Sequence, residues 1–186
     1  MIYPIVAYGD LVLKRRAEPI DFETFDVKQL VEDMFETMDA AQGVGLAAPQ
    51  IGKSVRLFVV DAEPMDEANL KGFRRAFVNP DKVEESGDVW PYEEGCLSIP
   101  GIRGDVLRPS VVTLRFQDLD GQEHTETFGG MAARVIQHEY DHLEGVLFTD
   151  HLKPFKRRLL SGKLNGISRG RTDAEYRMRF PVKTRR

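Results

Sequence analysis

The segment His138-Glu139-Tyr140-Asp141-His142 carries two imidazoles four residues apart, with a carboxylate directly after the first. On a helix, residues four apart share a face, so both rings can reach one metal ion while Glu139 stands beside the coordination sphere, next to a metal-bound water. Two histidines do not complete such a site; a third protein ligand is needed, with one position left open for water. The choice of that ligand decides which chemistry the pattern serves.

Several routes to a third ligand are closed or weak. A pattern extended to H-E-x-x-H-x-x-G-x-x-H would need a histidine where this chain has Phe148, although Gly145 matches. A carboxylate a few turns downstream is missing too, because the next acidic residues after Asp150 are Asp173 and Glu175. His124 and His151 stand among polar residues near a turn or a helix end, where solvated histidines are commoner. Cys96 is the better candidate: it lies in a short extended run between Gly95 and Pro100, and a thiolate binds borderline and soft divalent metals strongly. A nucleophilic Cys-His dyad would leave Glu139 without a role.

These residues need elements to hold them. Met131, Val135, His138, His142 and Val146 line up on one side, and Ile136, Tyr140, Leu143 and Leu147 on another, so the spacing predicts a buried helix near 128–149. A second amphipathic helix is expected over 24–41, from Val27, Leu30, Val31, Met34, Phe35 and Met38, with Gly43 ending it. GVGLAAPQIG, with three glycines and a proline, cannot continue that helix, and VRLFVVD (55–61) has strand character. Residues 61–75 read as a charged, exposed excursion. AFVNP, the stretch from Val89 to Tyr92, and VVTLRFQDLDGQEHTETF are further strands, the last turning at Asp120-Gly121. The expected fold is α+β: mixed or antiparallel strands packed around a buried central helix that carries H-E-x-x-H, an N-terminal amphipathic helix, and a basic C-terminal extension without a sustained pattern.

Composition bounds the rest. The chain has 186 residues, one cysteine and a net charge of −4, which suits one globular catalytic domain (1–165) followed by the extension (166–186). A single cysteine excludes an internal disulfide and points to a reducing, cytoplasmic setting. No basic segment followed by a long apolar run opens the sequence, and no run approaches membrane-spanning length. The small net charge conceals an asymmetry, since residues 1–152 carry 14 basic and 28 acidic side chains and residues 153–186 carry 12 and 2. GLAAPQIGKS ends like a phosphate-binding loop, but Ala47 stands where that loop needs glycine, so nucleotide binding is rejected.

GVGLAAPQ (43–50), EGCLS (94–98) and QHEYDH (137–142), in this order, resemble the three signature motifs of the bacterial peptide deformylase family. The resemblance spans about residues 1–165. It implies a metal-dependent hydrolase that removes the formyl group from the N-terminal formylmethionine of newly made polypeptides and releases formate. It implies Cys96, His138 and His142 as ligands of one ion, ferrous iron by family and replaceable by zinc, nickel or cobalt. Glu139 becomes the general acid/base toward the metal-bound water, and the Leu97 N–H and the Gln50 amide become donors to the oxyanion.

For the substrate, the resemblance implies an extended peptide added like a strand along the glycine-rich loop and the second motif, with Gly43, Gly45 and Gly95 allowing close approach. An apolar pocket for the methionine side chain would draw on Val44, Tyr92, Met131, Val135 and the His138 ring. Arg103 matches a rim arginine, and Arg108 is expected to pair with Asp141. The basic residues Lys153, Lys156, Arg157, Arg158, Lys163, Arg169 and Arg171 suggest a contact with ribosomal RNA near the emerging chain; neither DNA nor a membrane is expected as a partner. The competing readings are a metallopeptidase using the same histidines and a binding protein that kept the fold without activity.

Overall fold

The computed structural model describes residues 1–181. The apolar spacing near the N-terminus forms helix α1 (Val27–Ala40), whose buried face is Val27, Leu30, Val31, Met34 and Met38. Asp26 caps it, its carboxylate accepting the Gln29 N–H at 3.0 Å, one of the donors that a helix start leaves free. The chain leaves the helix through Gln42, which takes the left-handed conformation (φ 54°), one residue before the glycine expected to end it.

Strand β1 (Ile5–Val6) precedes α1. The remaining strands of the body build one antiparallel sheet in chain order: β2 (Gly45–Ala47), β3 (Leu57–Asp61), β4 (Arg74–Cys96), β5 (Ile99–Gln117) and β6 (Glu123–Gly129). β4 and β5 are long and are bent by register shifts, at Val78/Asp81 and Ser86/Val89 among others. Such shifts let one strand serve two packing environments. The first half of β4 supplies core residues Phe77 and Val78; its far end carries the buried Glu94 and, two residues on, Cys96. Cys96 pairs with Ile99, so Leu97 and Ser98 form the tight turn between the two strands.

Helix α2 (Gly130–Leu143) carries His138, Glu139 and His142 and lies against the sheet. Its Ala133, Ile136, Tyr140 and Leu143 join Phe58, Phe77, Phe116 and Phe128 in one apolar cluster. The helix is shorter than the sequence pattern suggested. It stops at Leu143 because Gly145 is left-handed (φ 73°) and passes so close to another segment that a Cβ there would lie 2.7 Å from the Lys14 carbonyl oxygen. Leu147 continues the apolar pattern from outside the helix and, with Phe148, joins a separate apolar cluster.

The basic region is more structured than its sequence indicated. Helix α3 (Pro154–Ser168) was not expected; its hydrophobic pattern is interrupted by basic residues, and only Leu164, Gly166 and Ile167 are buried. It crosses the position where the extension was expected to begin. Strand β7 (Met178–Arg179) then pairs in parallel with β1, Ile5 opposite Met178. Positions 182–186 of the expected extension lie outside the described residues. Among the described residues the architecture is α+β, with three α-helices and an antiparallel sheet, and none of those helices is long and apolar enough to cross a membrane.

Candidate metal centre

α2 projects His138 and His142 from one face, and the end of β4 brings Cys96 against them. The ligand-capable atoms of these three residues all lie within 4.8 Å of one another. His142 Nε2 is 3.4 Å from Cys96 Sγ, and the two imidazole rings meet edge to face at 5.1 Å. The other histidines are elsewhere: His124 bonds Asp118 and His151 bonds Asp141, each at 2.7 Å. Phe148, which occupies the place of a third histidine in the longer peptidase pattern, stacks on His138 at 6.3 Å.

Residues behind these three fix their orientation. Glu94 is buried and accepts His138 Nδ1–H at 2.9 Å, which turns the other ring nitrogen toward Cys96. The same carboxylate accepts from Arg108 (2.7 and 3.0 Å) and Arg134 (2.9 Å), and Arg108 also donates to Asp141 at 2.8 Å, the pairing expected from sequence. A carboxylate behind a ligating histidine fixes its tautomer and raises its basicity. Glu94 and Arg134 were not assigned from the sequence. Their signals were present: Glu94 sits two residues before the cysteine, and Arg134 one turn before His138 on the same helix face.

The electrostatics follow from burial. Burial opposes charge on Glu94, but hydrogen bonds from His138 and Arg108 hold its carboxyl well below the usual carboxylate range. For His142 burial acts with the neighbouring His138 and pushes the imidazole down to about 3, leaving it neutral with a lone pair to offer. Desolvation opposes a charge on His138 as well, yet the Cys96 sulfur and the Glu94 carboxylate push its pKa well up. Surroundings that attract a proton to that ring also attract a cation. Burial drives Glu139 up to about 7, where a carboxyl can both accept and return a proton near neutral pH. One Glu139 oxygen and His142 Nδ1 are buried with no hydrogen-bond partner among the described residues. One thiol and two imidazoles, converging on one another, fit a divalent cation of borderline softness.

A cleft of about 1230 Å³ opens over this group. Of the residues singled out from sequence, Gly43, Val44, Gly45, Gln50, Tyr92, Gly95, Cys96, Leu97, Arg103, Val135, His138 and Glu139 line it, and so do Lys163 and Arg171, two of the basic residues expected at ribosomal RNA. Met131 does not, and His142 lies behind the lining; Met65 and Arg134 are present instead. Gln50 is fixed at both ends of its amide. Its oxygen accepts the Ala47 N–H at 2.8 Å, and its nitrogen faces Ser98 Oγ at 3.3 Å and Cys96 Sγ at 3.4 Å.

The glycines differ in what they permit. A Cβ on Gly45 would fall on the Glu139 carboxylate, 2.8 Å from its Cδ, so this glycine makes room for the acid. A Cβ on Gly43 would meet Leu97 at 2.8 Å, whereas one on Gly95 would make only ordinary contacts with Arg103 from 3.6 Å. Gly95 leaves the β4 backbone open to the cleft.

Comparison with known proteins agrees with this geometry. Residues 2–158 match the family model described as polypeptide deformylase. The chain is 58% identical to the peptide deformylase of Cytophaga hutchinsonii, over 98% of this chain and 100% of that protein. It is 50% identical to that of Christiangramia forsetii, over 97% of each. Among solved structures, the peptide deformylase from Thermotoga maritima superposes with a TM-score of 0.75 at 40% identity, covering 83% of this chain and 99% of that one. The one from Legionella pneumophila gives 0.79 at 40% identity, over 91% and 96%. With its three motifs gathered around one cleft and these matches along its length, the chain belongs to the polypeptide deformylase family.

Proposed function

We propose that this enzyme removes the formyl group from the N-terminal formylmethionine of newly synthesised polypeptides and releases formate. The observation that carries the reading is the convergence of Cys96, His138 and His142 at one end of a cleft into which a buried, near-neutral carboxyl, Glu139, faces. Cys96, His138 and His142 would hold a single divalent ion. The family resemblance favours ferrous iron, and zinc, nickel and cobalt suit the same donors. Such an ion, when bound, supplies Lewis-acid polarisation and lowers the pKa of water toward neutrality.

The chain's own groups do the rest. Glu139 accepts a proton from the attacking water and delivers it to the departing amine nitrogen. The Leu97 N–H and the Gln50 amide donate to the oxygen that gains charge, as an oxyanion site requires. The backbone of Gly43, Gly45 and Gly95 flanks an extended substrate as a neighbouring strand would. Val44, Tyr92, Val135 and the His138 ring receive the methionine side chain, Met131, expected in the same pocket, stands outside the cleft lining, and Arg103 stands at the rim.

We assign residues 1–165 to the catalytic domain and 166–186 to a basic extension, and place the protein in the cytoplasm. Lys153, Lys156, Arg157, Arg158, Lys163, Arg169 and Arg171 would contact ribosomal RNA. Formate release from a formyl-Met peptide, with no internal cleavage of it or of its unformylated twin, is the expected result; cleavage of the chain interior would make the protein a peptidase. Elemental analysis after anaerobic purification, with turnover per bound metal, identifies the ion. Replacing Lys156, Arg157 and Arg158 with Glu is expected to abolish ribosome co-sedimentation at low salt, and the wild-type association to weaken steeply as salt rises.

A further inference from the structure

The turn at Leu97-Ser98 stands outside the β4–β5 ladder, so its polar groups need partners from other parts of the chain. The Ser98 carbonyl accepts the Tyr8 N–H at 2.8 Å, next to β1. The Ser98 hydroxyl is met by Gln50. The Leu97 carbonyl accepts the hydroxyl of Tyr176 at 2.8 Å, across 79 positions of sequence. Tyr176 is itself held close to its backbone anchor: the Arg177 carbonyl accepts the Ile5 N–H at 2.8 Å, and Met178 begins β7 opposite Ile5. The segment that carries Tyr176 also borders the cleft, where Arg171, Asp173, Glu175 and Tyr176 face the glycine-rich loop and the Cys96 turn.

We propose that Tyr176 is a positioning residue for the reaction: its hydroxyl fixes the Leu97 carbonyl, and with it the plane of the Leu97–Ser98 peptide, so that through the two backbone rotations at Leu97 it limits the swing of the preceding peptide, whose Leu97 N–H is to meet the developing oxyanion. The inference rests on the deformylase reading. A donor aimed at developing charge is effective only when it is already in place, because reorienting it during the reaction consumes the stabilisation it supplies. The strands on either side of the turn are pinned by their ladder, but among the described residues the one hydrogen bond that reaches the Leu97 backbone from outside that ladder comes from the Tyr176 side chain. Its ring is half-buried, so the phenylalanine ring occupies the same space and removes the hydroxyl alone.

The test is Tyr176→Phe in the full-length, metal-loaded enzyme. An interaction made only in the transition state lowers kcat and kcat/KM equally and leaves KM unchanged. The expected result is a kcat for formate release lower by about 5- to 20-fold, less than the full loss of an oxyanion donor. KM is expected within twofold of wild type, metal content unchanged, and hydrogen exchange faster in the peptide covering 95–100 but not elsewhere. Tyr176→Ala is expected to show the same exchange change and at least the same fall in kcat. The proposal is overturned by a kcat within twofold of wild type, by a rise in KM alone, by loss of bound metal, or by unchanged exchange at 95–100. A wild-type protein that releases no formate overturns the deformylase reading itself and the catalytic part of this inference with it; the exchange comparison still decides whether Tyr176 holds the turn.

Discussion

One wall of the cleft, formed by α2 and the end of β4, is tied together by ion pairs among side chains no more than 5% exposed: Glu94 with Arg108 and Arg134. Residues 171–176, which also line the cleft, are tied to the Cys96 turn by one hydrogen bond among the described residues, from the Tyr176 hydroxyl, and carry their charges in solvent. Their energetic characters differ accordingly. In the first wall, removing one partner strands another charge in a dry interior; in the second, water replaces what is removed. The proposed ligand set and the proposed acid sit on the rigid wall, where small displacements are most damaging.

Breaking the rigid wall at its reacting group has the largest expected effect. Glu139→Gln is expected to lower kcat for formate release by about 10²- to 10⁴-fold while metal content is retained, as measured by single-turnover kinetics and elemental analysis. Retention of normal turnover would remove Glu139 from the mechanism. The same variant is expected to be no less stable than wild type at pH 8 after chelator treatment. The carboxyl's folded pKa is raised to about 7, so its ionisation opposes the fold as pH rises through that value, and glutamine has no such term.

Breaking the support behind the ligands comes next. Glu94→Ala leaves Arg108 and Arg134 buried without their carboxylate, and a loss of about 3–5 kcal/mol in urea unfolding is expected. The pH dependence sharpens this. Glu94 has a depressed folded pKa, so its contribution is fully present above the ordinary glutamate value of about 4.3 and is lost as the pH falls from there toward the folded value. Between pH 5 and 3, wild type is expected to lose stability more steeply than Glu94→Gln; parallel curves would show that the network is not what the fold depends on.

A solvent-exposed pair gives the smallest effect and calibrates the others. Arg115 and Asp81 meet at 2.8 Å with both side chains more than half exposed, and Arg115→Ala is expected to change stability by less than about 1 kcal/mol. A larger change there would mean that burial is not the variable separating the two walls.

The two walls also differed in how far they could be read beforehand. His138, Glu139 and His142 declare themselves because helical periodicity is local, and their order in sequence fixes which face they share. Cys96 could be chosen by eliminating rivals, and the structure places it with them. The end of α2 was overestimated because the apolar pattern persists through Leu147, while the halt at Gly145 depends on the Lys14 backbone far away in sequence. α3 and β7 were missed for related reasons: one has a hydrophobic pattern broken by basic residues, and the other is two residues long and exists only because β1 pairs with it.

The sequence by itself determined the chemistry available: a thiol, two imidazoles in helical register and a carboxylate beside them, on a chain with the family's three motifs. Only the tertiary structure decided how those groups are held. Bent strand pairing carries Glu94 behind His138, close packing makes Gly45 a space for Glu139, and the β1–β7 pair brings Tyr176 onto Leu97. The physical reason is range. Periodicity reports on neighbours within a turn or two, whereas burial, pKa and preorganisation depend on partners tens of residues away that meet only when the chain is folded.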